Sequence, residues 1–158
     1  MREILFRGKR IDGKGWAYGY FVENEDDIYR AFIVSSARWD VDGDGCTDLL
    51  ETEVYEVDPV TVGQFTGLCD KNGKQIFEGD VVRYQFDNDD CPFPNKHTEK
   101  IIGRIFFSDW RASFSVTAGK SGSDMLNNDL FNYVRNGNRV EAIGNIYDNT
   151  ELLNHDAN

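Results

Sequence analysis

The sequence has few of the residues from which metal clusters and disulfide scaffolds are built. Its 158 residues include two histidines and three cysteines, Cys46, Cys69 and Cys91. An odd number of widely spaced cysteines without a CxxC pair does not form a disulfide framework or a structural zinc site. We therefore predict free thiols in a reducing cytoplasm. Apolar runs are also short, and none approaches the roughly 18 residues that are needed to cross a membrane.

Positive charge is scarce as well. The chain has 17 basic and 28 acidic residues, which gives a formal net charge of −11. A surface of this sign repels the phosphate backbone, so direct binding to nucleic acid is not expected. The same charge could serve simple solubility, or it could imitate a phosphate array and attract a protein that itself binds nucleic acid.

The remaining composition favours a mainly β protein. Fifteen glycines and only three prolines suit many short strands that are joined by tight turns. In the N-terminal part, alternating patterns predict a meander of three strands, Ile4–Ile11, Trp16–Val22 and Ile28–Val34. The acidic, turn-rich segment Ser35–Glu56 predicts a long loop or hairpin tip.

The second predicted strand has an unusual aromatic face. Trp16, Tyr18, Tyr20 and Val22 share that face, because successive side chains of a strand point to opposite sides. We interpret it as a core face, with a stacking platform for bases or sugars as the alternative. Gly19, on the opposite face, would let a neighbouring segment approach closely.

The second half of the sequence continues with short strands. Asn72-Gly73 supplies the positive φ of a hairpin turn between Thr61–Leu68 and Gln75–Phe77. Gly79 and Asp80 form a second predicted turn, with a special dihedral at the glycine and turn hydrogen bonds at the aspartate. The later predicted strands are Val81–Phe86, Ile101–Phe107, Ala112–Thr117 and Val140–Tyr147. This order of strands and turns is typical of a small SH3-like barrel or roll.

One short helix is predicted near residue 125. Ser123 or Asp124 would cap it, and Gly137 would end it. Four apolar residues would lie on one side of this helix, namely Leu126, Leu130, Phe131 and Val134.

Two segments resemble a known family. Residues Val57–Val82 read VDPVTVGQFTGLCDKNGKQIFEGDVV, and Ala142–Leu153 read AIGNIYDNTELL. Both are similar to the hallmark segments of the YopX family, which is carried by bacteriophages and prophages. The resemblance implies the cytoplasm of a bacterial host cell and a YopX-like β architecture, and it implies no enzymatic activity.

One motif has the spacing of a metal site. Asp40, Asp42, Asp44, Cys46, Asp48 and Glu51 match the calcium-loop pattern D-x-D-x-D-G-x-x-x-x-x-E, with Cys46 contributing its carbonyl oxygen. Thr47 stands where such loops usually have an aliphatic residue, and the preceding pattern predicts a strand instead of a helix. The alternative is an acidic turn that fits the pattern by chance, and no other cofactor is predicted.

No motif indicates catalysis. His97 and His155 lack the spacing of a metal site or a proton relay, and neither a nucleophile elbow nor a phosphate loop is present. Asp109-Trp110-Arg111 is either a hairpin tip or a hook for a partner, since Trp and Arg are common in interface hot spots.

Together these patterns predict a non-enzymatic phage accessory protein that binds other proteins. Its predicted parts are an N-terminal meander with the acidic loop at 1–56, an SH3-like barrel with the short helix at 57–153, and a tail at 154–158. The first two parts would form separate domains or one composite domain. The expected partners are further copies of the chain, or a host or phage protein, and the alternative function is an acidic decoy for a host DNA- or RNA-binding protein.

Overall fold

The described structure is mainly β and divides into two compact units. The computed structural model describes residues 4–23, 30–41, 47–85, 100–117, 129–135 and 137–153, with the backbone alone at 37–41 and 47–50. The units are residues 1–65 and 66–158. Ten strands and one short α-helix are described, which confirms the prediction of a mainly β fold with a short helix.

The first unit is an antiparallel sheet built around the predicted meander. Its strand order is β4-β3-β2-β1-β5, and β5 continues into the second unit. The bounds are β1 Phe6–Lys9, β2 Trp16–Glu23, β3 Ala31–Val41, β4 Thr47–Val57 and β5 Gly63–Cys69.

The main difference from prediction in this unit is the length of the β3–β4 hairpin. Ser35–Glu56, predicted as a long loop or hairpin tip, contributes most of two eleven-residue strands. Their pairing runs from Ala31↔Val57 to Val41↔Thr47, with irregularities at two places. Strand propensity depends on cross-strand neighbours, so pairing along such a ladder can override the low strand propensity of the many acidic residues.

Small and aliphatic side chains form the core of the first unit. Ala17, Ala31, Ile33 and Val57 are buried, and Phe6, Phe21, Tyr55 and Val62 pack against them. A 3₁₀ turn at Pro59–Thr61 follows β4. Asp58 caps this turn by accepting a hydrogen bond from the Val60 N–H at 3.1 Å.

The second unit contains a four-stranded antiparallel sheet. The end of β5 pairs with β6, and the four-stranded sheet has the order β10-β7-β8-β9. The bounds are β6 Gln75–Phe77, β7 Asp80–Tyr84, β8 Ile101–Ser108, β9 Ser113–Val116 and β10 Glu141–Asn145, with helix α1 at Leu130–Val134 and a 3₁₀ helix at Thr150–Leu153. In the described ranges this sheet is open, with β10 and β9 as its edges, so the closed SH3-like barrel is not seen.

Aromatic and aliphatic residues of β6 to β9, helix α1 and Val140 form the described core of the second unit. Tyr84 and Tyr133 lie with their ring centroids 4.8 Å apart at an angle of 57°. The Tyr84 hydroxyl donates a hydrogen bond to the Thr117 carbonyl oxygen at 3.0 Å. The other buried members are Ile76, Val82, Ile105, Phe114, Val116, Leu130 and Val140.

The turn before β7 has the predicted local chemistry. Gly79 has a φ of 81°, and its N–H donates to the Ile105 carbonyl oxygen at 2.9 Å. Asp80 is 1% exposed and accepts a hydrogen bond from the Phe77 N–H at 2.9 Å. Both residues therefore have structural roles, because each completes the turn from which β7 starts.

The helix begins later than predicted. Asp129 is the N-cap, and its carboxylate accepts a hydrogen bond from the Phe131 N–H at 3.0 Å. Ser123, Asp124 and Leu126, which were assigned to this helix, lie outside the described residues.

Candidate functional site

The predicted calcium loop begins in β3 and ends in β4. Asp40 is the second-last residue of β3, and its register partner is Asp48 near the start of β4. Glu51 is exposed and lies opposite Arg38. Asp42, Asp44 and Cys46 lie outside the described residues, so the calcium site stays a prediction. Among the described residues no group of three or more metal-ligating side chains comes together.

Three of the four residues on the aromatic face of β2 are exposed, which contradicts its interpretation as a core face. The fourth, Trp16, is partly buried. The exposed fractions are 50% for Tyr18, 61% for Tyr20 and 47% for Val22. The opposite face of the strand, with Ala17 and Gly19, is the buried one. Both faces of β2 carry apolar side chains, so alternation alone could not decide which of them is covered.

Neighbouring strands extend this exposed apolar surface. Val34 pairs with Tyr20, and Phe32 pairs with Val22. Val54 of β4 pairs in turn with Val34 and is 49% exposed. We call these six residues, Tyr18, Tyr20, Val22, Phe32, Val34 and Val54, the tyrosine face. Phe32 and Val34 are partly buried, and the other four residues are exposed. An apolar patch of this kind is typical of a protein-interaction surface.

Charged residues lie at the border of the tyrosine face. Arg30 forms a bidentate ion pair with Glu56, at 2.9 and 3.0 Å, and its guanidinium lies 5.2 Å from the Phe32 ring centroid. This pairing holds the pKa of the Glu56 carboxyl below its ordinary value. The face therefore has an uncharged centre, and at the Phe32 end it is bordered by a charged pair whose sum is zero. An apolar centre with a polar border is common in protein interfaces.

The second unit contains a pocket with a different chemistry. Its volume is about 170 Å³, and its lining includes four cationic side chains, Lys71, Arg83, Lys100 and Arg139. Among the described residues, Glu141 is the one acidic residue of the lining, which also includes Tyr84, Gln85 and Asn138. The described part of the lining thus carries four positive charges and one negative charge, a sum of +3 in a chain of net charge −11. We call it the basic pocket.

Glu141 is the internal counterion of the basic pocket. Its Oε2 accepts hydrogen bonds from Lys71 Nζ at 2.8 Å and from Arg83 Nη1 at 3.4 Å. The hydrogen bond from Lys71 is the main reason why the pKa of the Glu141 carboxyl lies below its ordinary value, and the charges of Lys71, Arg83 and Lys100 add to this effect. Glu141 is therefore a carboxylate at neutral pH.

Asp70 has a structural role beside this pocket. It is 3% exposed, and its carboxylate accepts backbone hydrogen bonds from Asn72 at 2.8 Å, Lys74 at 2.9 Å and Ala142 at 3.0 Å. Burial alone would raise the pKa of the Asp70 carboxyl, but these donors hold it below its ordinary value. Asp70 thus joins the β5–β6 turn to β10.

Within the described residues, the other candidates from the sequence do not form a catalytic or metal-binding arrangement. Trp110, in the turn between β8 and β9, is 85% exposed, and the Arg111 guanidinium lies 4.9 Å from its ring centroid. His97 and His155 lie outside the described residues.

The basic pocket was not predictable from a sequence motif. Its cations come from four separate places: the β5–β6 turn, β7, the residue before β8 and the segment between α1 and β10. No two of them stand close enough in the sequence to form a motif, and a net charge of −11 conceals a local excess of positive charge.

Among the helices in the described ranges, none has the length and apolar character that a membrane span requires.

Comparison with known proteins gives a family and a fold. No curated protein matches the chain. A crystal structure of protein EF1440 from Enterococcus faecalis is similar over 97% of this chain and 99% of that chain, with a TM-score of 0.60 and 21% identity. At this identity the similarity shows the fold alone. The model of the YopX protein family matches residues 25–154. This match covers most of the sequence, including both segments that resembled the family, and the chain belongs to the YopX protein family.

Proposed function

We propose that this protein is a non-enzymatic phage or prophage accessory module that assembles with further copies of itself through the tyrosine face. The observation that carries the proposal is the exposure of Tyr18, Tyr20, Val22 and Val54, each between 47% and 61%, on one sheet. Tyrosine is abundant in interface hot spots because its ring is large, rigid and able to donate a hydrogen bond.

The distribution of charge favours a second copy of the chain as the partner that covers the tyrosine face. Two chains of net charge −11 repel each other over most of their surfaces, so a contact between copies is favoured where charge is lowest. The tyrosine face has an uncharged centre, and the Arg30–Glu56 pair at its border is already neutral. Such a patch is compatible with an isologous contact, in which the same residues face each other across a twofold axis.

Assembly through pairing of two β4 edge strands is less favourable. β4 is the edge of its sheet among the described strands, and an exposed edge can pair with a second edge. Its eleven residues include Asp48, Glu51, Glu53 and Glu56 and no Lys or Arg. Pairing β4 with another β4 would bring like charges together, so the face and not the edge is the proposed contact. A standard interface buries about 800 Å² per partner, which is more than six residues supply. The tyrosine face would therefore form the centre of the contact, and neighbouring residues would complete it.

The non-enzymatic part of the proposal is supported by the roles of the buried acids. Asp70 and Asp80 accept hydrogen bonds from backbone N–H groups of their own turns. The three backbone donors to Asp70 hold the pKa of its carboxyl below the ordinary value, so Asp70 is a poor proton acceptor.

The test is the oligomeric state of Tyr20→Glu and Val54→Glu, measured by light scattering after size-exclusion chromatography. The wild type should elute as a defined multimer. Both variants should elute as monomers, because either substitution would bury an unpaired charge in the contact. Val60→Glu is the matched control, because Val60 is 74% exposed in the 3₁₀ turn outside the tyrosine face. A monomeric wild type at micromolar concentration would contradict the proposal, as would a multimer that both variants retain.

The acidic decoy makes a different prediction. A monomeric wild type that captures a host DNA- or RNA-binding protein, with binding lost at raised salt, would favour the decoy over self-assembly.

A further inference from the structure

We propose that the basic pocket of the second unit binds a small phosphorylated anion, through a phosphoryl group held by Lys71, Arg83, Lys100 and Arg139. This inference does not depend on the proposed self-assembly, because every lining residue of the pocket belongs to residues 66–158.

The pocket is fixed by the main chain of its unit. Arg83 on β7 is the register partner of Glu141 on β10. The Lys71 N–H donates to the Val140 carbonyl oxygen at 2.9 Å, and the Arg139 N–H donates to the Tyr133 carbonyl oxygen at 3.1 Å. The backbones of three of the four cationic residues are therefore held by strand pairing or by hydrogen bonds, so binding an anion requires little ordering of the chain.

The positive charge exceeds what the internal carboxylate requires. A single ion pair needs one cation, whereas Glu141 faces Lys71 and Arg83 at hydrogen-bond distance and also responds to the charge of Lys100. Like charges that are brought together in this way repel one another, and a bound anion with more than one negative charge relieves that repulsion. The same arrangement disfavours a neutral or cationic ligand.

The side chains and the volume favour a phosphoryl group. Arginine presents a planar fork of N–H donors that matches two oxygens of a phosphate, and lysine adds a point charge. The volume of about 170 Å³ lies below the 300–1,000 Å³ that is usual for drug-sized ligands, so the occupant is small. A long polyanion is disfavoured because the chain as a whole has a net charge of −11 and would repel it.

Asn138, in the wall of the basic pocket, has a structural role. Its Nδ2 donates to the Cys69 carbonyl oxygen at 2.9 Å, and its Oδ1 accepts from the Val140 N–H at 3.3 Å. Both ends of this amide already make hydrogen bonds within the protein. We therefore expect the four cationic side chains, and not Asn138, to bind the anion.

The experiment is a titration of the full chain with inorganic phosphate, diphosphate and adenosine monophosphate. Binding is measured by calorimetry and by the change in melting temperature. A ligand that binds only the native state raises the melting temperature. Diphosphate should bind more tightly than phosphate, because it carries more charge. Adenosine monophosphate that binds as phosphate does would indicate that the phosphoryl group alone is recognised, and tighter binding would indicate an organic phosphate as the ligand.

Charge variants show whether binding occurs in the basic pocket. Lys100→Gln should weaken diphosphate about fivefold, which is the effect of one partly solvated charge at contact distance. Lys14→Gln is the matched control, because Lys14 is an exposed lysine of the other unit, and it should leave the affinity unchanged. Glu141→Gln should strengthen diphosphate binding about threefold, because it removes the carboxylate that competes with the ligand for Lys71 and Arg83.

Three results would overturn the proposal. The first is the absence of heat and of any melting shift with diphosphate for the wild type and for a folded Glu141→Gln variant. The second is an equal loss of affinity in Lys100→Gln and Lys14→Gln, which would indicate non-specific screening. The third is a single-stranded oligonucleotide that binds more tightly than diphosphate, which would indicate a nucleic-acid surface instead of a small-anion pocket.

Discussion

Gly19 of β2 passes so close to Val34 of β3 that a methyl group on Gly19 would lie 2.1 Å from the Val34 carbonyl oxygen. The same methyl would lie 2.9 Å from the Ser35 Cα. Only glycine allows the two backbones to approach in this way, because no side-chain rearrangement can move a main-chain oxygen out of the β2–β3 ladder.

Gly19→Ala should therefore destabilise the protein by about 3 kcal/mol, the upper part of the range for overpacking. Gly13→Ala is the control, because Gly13 also has a positive φ, of 75°, but a methyl group added there would have no neighbouring atom within 4 Å. It should cost about 1 kcal/mol from backbone conformation alone. Urea unfolding of both variants measures the difference, and equal losses would show that the close approach to Val34 is unimportant.

Asp70→Asn should destabilise the second unit by about 2 kcal/mol, because an amide in place of the carboxylate would point its N–H₂ group at a backbone N–H. Asp109→Asn, in the exposed turn after β8, should leave the free energy of unfolding unchanged within about 0.5 kcal/mol. Chemical denaturation at pH 7 makes this comparison.

The stabilisation by Asp70 should also disappear in acid. The folded pKa of Asp70 is depressed below its ordinary value of 3.8, so in the window below that value the unfolded chain binds a proton before the folded chain does. Stability from this group is fully present above the unfolded pKa and is lost as the pH falls through the folded pKa. The difference between wild type and Asp70→Asn should shrink below about pH 4, and a difference that stayed constant to pH 2 would contradict the assignment.

The buried tyrosines predict a loss of stability in alkali. Burial raises the pKa of Tyr133 from 10.0 to about 12 and raises that of Tyr84 further in the same direction. Above pH 10 the unfolded chain releases these protons while the folded chain retains them, so stability is present below pH 10 and falls as the pH rises. Tyr133→Phe should reduce this slope by up to about 1.4 kcal/mol per pH unit.

The double variant Tyr84→Phe/Tyr133→Phe should lose more of the alkaline slope than either single variant. Urea unfolding between pH 8 and pH 11 measures the slope for all four proteins. A double variant with the wild-type slope would show that other groups control the alkaline transition.

The predicted calcium loop is testable without a structure of the loop. Calcium at one hundred times its dissociation constant should stabilise the native state by about 2.7 kcal/mol. Asp44→Asn and Glu51→Gln should abolish the effect, whereas Glu53→Gln, a neighbouring acid of β4 outside the pattern, should retain it. Identical melting temperatures with calcium and with chelator would end the prediction.

Local chemistry made several features predictable from the sequence. The Gly79–Asp80 turn, the Asp70–Gly73 turn and the close approach at Gly19 were predicted, because each depends on one glycine or one short side chain acting on a neighbouring backbone. The strands β5 to β9 were found within a few residues for the same reason, since turns of this kind determine where each strand begins and ends.

Long-range pairing decided the remainder. The sequence alone determined that the chain is mainly β, acidic and built on YopX-family turns, since these properties are local or compositional. Only the tertiary structure decided which side of β2 is covered and how far the β3–β4 hairpin extends, because cross-strand contacts outweigh the propensities of single residues. It alone brought Lys71, Arg83, Lys100 and Arg139 to one pocket, since their proximity depends on the strand order β10-β7-β8 and on no sequence spacing.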